Sequence, residues 1–169
     1  MHRLILLRHG KAERTAPGGD IARRLTDRGR ADAALMGRVL ADRGLVPDLA
    51  LVSAATRTQE TWAAVCPSFP AAKSEVTREL YLASEGLILS LAEARGETAG
   101  SVMVIGHNPG LHMLALYLLR QAGAGAAVIA RAEAKFSTSS AAAFTFDEAG
   151  RPAYDGLFHA PDFGGGGGE

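Results

Sequence analysis

Residues 4–13 read LILLRHGKAE: four aliphatic residues run directly into Arg8, His9 and Gly10. An uninterrupted apolar run of this length fits a strand buried on both faces, as in parallel sheets. The strand is read over Met1–Leu7. Two bases stand where it leaves the core.

The same pattern recurs twice. PDLALVS (Pro47–Ser53) is a second apolar strand and leads into SAATRTQET, with Arg57 near the start of a helix. SVMVIG (Ser101–Gly106) is a third and leads into GHNPG, with His107 and Asn108. Between them the apolar residues take helical spacing. Ala31, Ala34, Leu35, Val39 and Leu40 mark a helix over Asp27–Gly44, with Thr26 as N-cap and Gly44 as its stop. Further helices are predicted over Thr56–Val65, ended by Pro67, over Glu85–Arg95, and from Pro109 to about Ala122. Val76–Leu80 reads as a short strand. Ala141–Phe146 and Pro152–Leu157 read as a hairpin across Glu148–Gly150. Ala122–Ala127 (AGAGAA) reads as a flexible connection.

Strands alternating with helices, plus a terminal hairpin, predict a three-layer α/β/α fold around a central mixed, mostly parallel sheet. The length of 169 residues fits one domain over 1–163. Residues 164–169 (GGGGGE) form a low-complexity tail. The formal charge is zero, so neither nucleic acid nor an anionic membrane is an expected partner. Leu4–Leu7 is too short for a signal peptide, and no run approaches a membrane span, which predicts a cytoplasmic protein. Cys66 is the single cysteine, so neither an internal disulfide nor a thiolate metal cage can form.

In open α/β sheets ligands bind at the carboxyl ends of strands. Parallel strands here bring Arg8, His9, Arg57 and His107 to one sheet edge. Two arginines, two histidines and nearby helix N-termini suit a tetrahedral dianion. Gly10, Gly106 and Gly110 are expected to let backbone approach the ligand. Familiar phosphate chemistries are missing from the chain. There is no GxxxxGK[ST] loop and no GxSxG elbow, and Cys66 is followed by Ala72 rather than by arginine six residues on. His107 and His112 lack the HExxH pattern, so a metal site is not expected. An imidazole nucleophile held among arginines remains, with the nearby cations favouring its neutral form.

LRHGKAE, SAATRTQET and VIGHNPG, in this order, resemble the histidine phosphatase (phosphoglycerate mutase-like) superfamily. RRLTDRG (Arg23–Gly29), RELY (Arg78–Tyr81) and FSTSSAAAFTFDEAG make the likeness strongest to its small SixA-type phosphohistidine phosphatases. The resemblance implies that His9 is the phosphorylated histidine, that Arg8 and Arg57 bind phosphate, and that His107 contacts the phosphoryl group. It implies no cofactor. The family's proton donor falls near Glu79, with Glu13, Asp20 and Glu85 as rivals. Asn108 is a further candidate for phosphate contact, and the Ser137–Ser140 loop for a backbone donor. Lys11 stands where larger relatives often have glutamate, and Thr15 where the mutases have asparagine.

The remaining histidines, His2, His112 and His159, are read as structural, with His112 bracing the pocket. Trp62 and Tyr117 are read as core, and Cys66 as a buried helix end. The short connection from Leu80 to Glu85 leaves no room for a roof, so the pocket is expected to be shallow and open. That suits a phosphate presented on a protein. The expected activity is therefore a metal-independent phosphatase acting on phosphohistidine in a protein. The alternatives are a phosphomonoesterase for small esters and an inactive phosphate-recognition module.

Overall fold

The computed structural model describes residues 1–166. Eleven elements follow in order: β1 (Arg3–Arg8), α1 (Asp27–Asp42), β2 (Leu49–Ser53), α2 (Thr56–Val65), β3 (Lys73–Thr77), α3 (Glu85–Gly96), β4 (Ser101–Gly106), α4 (Gly110–Gln121), α5 (Ala126–Ala134), β5 (Ala141–Phe146) and β6 (Pro152–Phe158). One six-stranded sheet has the order β3-β2-β4-β1-β5-β6. Its first four strands are parallel; β5 runs antiparallel beside β1, and β6 antiparallel beside β5. The fold is the mixed α/β/α arrangement expected from the sequence.

Side-chain alternation along the buried strands makes the three layers. Leu4, Leu6, Val102 and Val104 face a core shared with Ile88, Leu111, Leu114 and Ala132 of α3, α4 and α5. Ile5, Leu7, Met103 and Ile105 face the other core, shared with Ala33, Met36, Leu40 and Val65 of α1 and α2. Each fully buried Leu or Ile here contributes roughly 1.5–3 kcal/mol of transfer free energy. The chain moves outward from β1 to β2 to β3, then returns to insert β4 between β2 and β1. Right-handed crossovers put helices on opposite faces when the direction of travel reverses, which accounts for α1 and α2 on one side and α3 on the other. The reversal opens a crevice at the carboxyl ends of β1, β2 and β4.

Two element assignments and the burial of two residues differ from the expectation. The strand expected at Val76–Leu80 is β3, four residues of which precede Thr77; Arg78–Leu80 is a turn of 3-10 helix. Register with Leu49–Ser53 fixes the strand, and the Thr77 hydroxyl accepts from the Glu79 amide to turn the chain. The stretch Ala122–Ala127 is a connection only as far as Gly125, because α5 starts at Ala126 and buries Ala132 against α4. Tyr117 sits on α4 but is 49% exposed, and Cys66 is half-buried rather than buried. In the glycine-rich tail, the Gly165 amide donates to the Ala160 carbonyl and the Gly166 amide to Asp32 Oδ1. Residues 167–169 of that tail lie outside the described residues. Among the described residues no helix is long and apolar enough to cross a membrane.

Candidate active site

The last residue of β1, Arg8, pairs in register with Gly106 of β4, so the two following histidines emerge side by side. The ring centroids of His9 and His107 are 5.4 Å apart. His9 is almost fully buried, and its Nδ1 lies 2.7 Å from the Gly10 carbonyl. A carbonyl only accepts, so Nδ1 carries the proton and Nε2 keeps its lone pair. Arg57 Nε donates toward that Nε2 at 3.4 Å. Burial is the main cause that lowers the His9 pKa to about 3, with His107, Arg8 and Arg57 adding and the Gly10 carbonyl opposing. The neutral form follows mainly from burial, and the neighbouring arginines are secondary.

Arg57 is 2% exposed, and its guanidinium organises the site from the first turn of α2. It donates to the Asp20 carbonyl at 2.8 Å, to Asp20 Oδ2 at 3.1 Å and to His107 Nδ1 at 3.1 Å. Since His107 Nδ1 accepts, its Nε2 bears the proton and donates to Ser53 Oγ at 2.7 Å. Both His107 nitrogens therefore have protein partners. Its pKa is also lowered to about 3, by burial and then by Arg57. Thr61 Oγ accepts from the Gly10 amide and donates to the Arg57 carbonyl, which ties α2 to the end of β1.

Arg8 and Asn108 donate to the same acceptor, the Phe136 carbonyl, at 3.0 and 2.8 Å. His112 braces that residue: its ring stacks on Phe136, and its Nε2 contacts the Ala132 carbonyl at 2.6 Å. The Ser139 amide serves the Arg8 and His9 carbonyls, and the Ser140 amide serves Ser137. Thr138 is the residue of this loop that lines the cleft. Ser139 has φ 58°, a strained conformation for a non-glycine residue. His159 lies behind the loop, its Nδ1 2.9 Å from Ser140 Oγ.

The candidate proton donors separate clearly. Glu79, Glu85 and Glu13 are exposed, and none of them lines the cleft. Glu79 is exposed on the 3-10 turn Arg78–Leu80 that follows β3. Asp20 is the carboxylate that the structure brings to Arg57. Tyr81 and Arg23 also donate to it. The Tyr81 hydrogen bond, then Arg23 and Arg57, hold its pKa at about 2. Asp20 is thus ionised at neutral pH.

The glycines also work differently from the expectation. A Cβ on Gly10 would lie 2.5 Å from the Gly29 carbonyl oxygen, and one on Gly110 would lie 2.0 Å from that of Ala83. A Cβ on Gly106 would meet only the Leu111 side chain at ordinary contact distance. Gly10 and Gly110 admit neighbouring backbone, not ligand. Ser53 and Thr61 were not among the expected site residues, and Tyr81 stood only as part of the RELY motif. Ser53 and Thr61 flank Arg57 at four residues on either side, a spacing that could have drawn attention to them.

The resulting cleft holds about 490 Å³ and is lined by Arg8, Lys11, Arg14, Arg23 and Arg57 around the two neutral imidazoles. Such a cleft can seat a tetrahedral dianion beside an unprotonated nitrogen nucleophile. Among the described residues no group of three or more His, Cys, Asp or Glu side chains is placed to hold a metal.

Residues 4–83 match the model of the histidine phosphatase superfamily (branch 1). An uncharacterized protein of Mycobacterium tuberculosis is 33% identical over 136 residues, covering 80% of this chain and 84% of its own. A SixA protein of Agrobacterium tumefaciens, described as a candidate phosphohistidine phosphatase, is 32% identical with a TM-score of 0.80, over 94% of this chain and 97% of that one. The protein histidine phosphatase SixA complexed with tungstate is 26% identical with a TM-score of 0.76, over 95% and 98%. The sheet order, the two histidines and these likenesses agree: the chain belongs to the histidine phosphatase superfamily, in its SixA-type branch of phosphatases.

Proposed function

We propose that the protein hydrolyses phosphohistidine on a protein through a covalent phospho-His9 intermediate, without a metal ion. The observation that carries this reading is the neutral His9, its Nε2 unprotonated and met only by the long 3.4 Å contact from Arg57 Nε, in a cation-lined cleft whose one carboxylate is ionised. Nε2 attacks phosphorus, the new N–P bond forms, and the bond to the substrate imidazole breaks. Arg8 and Arg57 hold the phosphoryl oxygens, with Arg57 exchanging its Asp20 contacts for them. Asn108 and Thr138 complete the lining. His107 orients Arg57 and is itself oriented by Ser53. Water then attacks phosphorus, releases inorganic phosphate and restores His9.

The leaving group supports phosphohistidine over an alkyl ester. An alkoxide needs a proton at the moment of departure, and Asp20 has none to give at neutral pH. An imidazole leaving group is basic enough to be protonated from water. The names carried by the two SixA neighbours favour the same substrate class. The test is a comparison of a phosphohistidine peptide with alkyl phosphates at pH 7.5 in excess chelator, in wild type and in Glu79→Gln. The peptide should turn over with chelator present, and Glu79→Gln should behave like wild type. Efficient turnover of alkyl phosphates that collapses in Glu79→Gln would overturn the reading.

A further inference from the structure

The cleft carries more positive charge than one phosphoryl group can use. Five cations and one carboxylate line it, an excess of four charges in a chain whose formal charge is zero. A bound phosphoryl group offsets about two of these. Arg8 and Arg57 take that role in the proposed mechanism, and Arg23 is paired with Asp20. Lys11 and Arg14 remain. Among the described residues neither makes an ion pair or a side-chain hydrogen bond.

The backbone beneath them is fixed. The Lys11 carbonyl accepts from the Thr26 amide at 2.9 Å and from the Thr26 hydroxyl at 3.2 Å. Gly29 packs so closely on Lys11 that a Cβ there would lie 2.0 Å from its carbonyl oxygen. Ala12 bridges Leu25, the Glu13 amide donates to Arg24, and Arg23 reaches back to the Glu13 carbonyl. The 11–14 segment therefore presents its two unpaired cations from a held loop on the cleft wall, which reduces the ordering cost of using them.

We infer that Lys11 and Arg14 form a subsite for a second anionic group of the substrate, a carboxylate side chain close to the phosphorylated histidine of a protein. The lining favours a polypeptide over a small bisphosphate because it combines these cations with Leu82, a large apolar side chain 56% exposed. A partner segment that places acidic and apolar side chains around its phosphohistidine matches both. The inference rests on the phosphohistidine reading above for its substrate, but the charge site itself can be tested separately.

Two phosphohistidine peptides are compared, one flanked by Asp and Glu, the other by Ser and Gly, with wild type and with Lys11→Gln/Arg14→Gln. Thermal melting shows whether the variant is folded. Wild type should prefer the acidic peptide in kcat/KM by about fivefold, as two partly exposed ion pairs allow. The preference should shrink at high salt and fall to about one in the variant. Equal rates for both peptides in wild type, or a preference that survives in the variant, would overturn the subsite. Calorimetry with methylenediphosphonate and methylphosphonate reads the charge site without turnover. The diphosphonate should bind wild type several-fold tighter than the monophosphonate, and the gap should close in the variant. If no peptide is hydrolysed but this gap is present and closes, the phosphohistidine reading fails and the second-anion site stands. If wild type shows no gap, the subsite fails. A diphosphonate gap in a wild type indifferent to peptide acidity would overturn the protein carboxylate as its ligand.

Discussion

Lowering the pH should destabilise this protein through its two site histidines. In the folded chain His9 and His107 both titrate near 3, chiefly because they are buried. In the unfolded chain a histidine titrates near 6.5. Between those values the unfolded state binds more protons, so the free energy of unfolding falls as the pH falls. The loss starts near pH 6.5 and grows by about 1.4 kcal/mol per pH unit for each ring. From pH 7.5 to pH 5 each histidine should cost about 2 kcal/mol, and the pair about 4 kcal/mol. Asp20 does not compete in this window: its folded pKa of about 2 keeps its stabilising charge at pH 5. The assay is urea unfolding at both pH values in wild type, His9→Gln, His107→Gln and the double variant. Each single variant should lose roughly half of the pH dependence, and the double variant most of it, leaving a remnant from His159, whose pKa burial also lowers. An equal drop in stability in the double variant would refute the argument. So would a wild-type drop below about 1 kcal/mol.

Two further perturbations probe how the site is held. Ser53→Ala leaves the His107 Nε2–H buried without its acceptor, which costs about 1–3 kcal/mol; kcat/KM on a phosphohistidine peptide should fall about tenfold, and the nitrogen NMR signals of the His107 ring should shift. A loss under twofold with an unchanged His107 spectrum would remove Ser53 from the account. Gly29→Ala drives a Cβ against the Lys11 carbonyl in a place where both neighbours are backbone, so it should cost about 3 kcal/mol or more in denaturant unfolding. An unchanged midpoint would show that the 11–14 loop is free to move.

Much of the fold was legible because the signals were local. Four aliphatic residues before Arg8 and six buried ones from Ser101 to Gly106 mark strands without any tertiary knowledge. Thr26 does cap α1, accepting from the Gly29 amide. The failures came where local signals are weak. α5 starts in an alanine- and glycine-rich stretch, and its helix is set by packing Ala132 against α4. β3 is an edge strand whose limits depend on register with β2. In the site, the residues at strand ends converged as the spacing implied. The choice among carboxylates was not readable, because Asp20 reaches Arg57 from a loop 37 positions away. Glu79 is close in sequence to Tyr81, which does touch the site, but is itself exposed and outside the cleft lining. The role of Gly10 is set by tertiary contact: its partner, Gly29, belongs to α1.

Every step of the proposed reaction depends on His9 taking the phosphoryl group. That transfer is tested most directly by mixing enzyme with a labelled phosphohistidine peptide, quenching in the millisecond range into alkali, and locating the label by mass spectrometry. A base-stable, acid-labile phosphate on His9 should form before inorganic phosphate appears, and no such species should form in His9→Ala. Inorganic phosphate released in the first turnover with no labelled enzyme, or label on another residue that persists in His9→Ala, would contradict it.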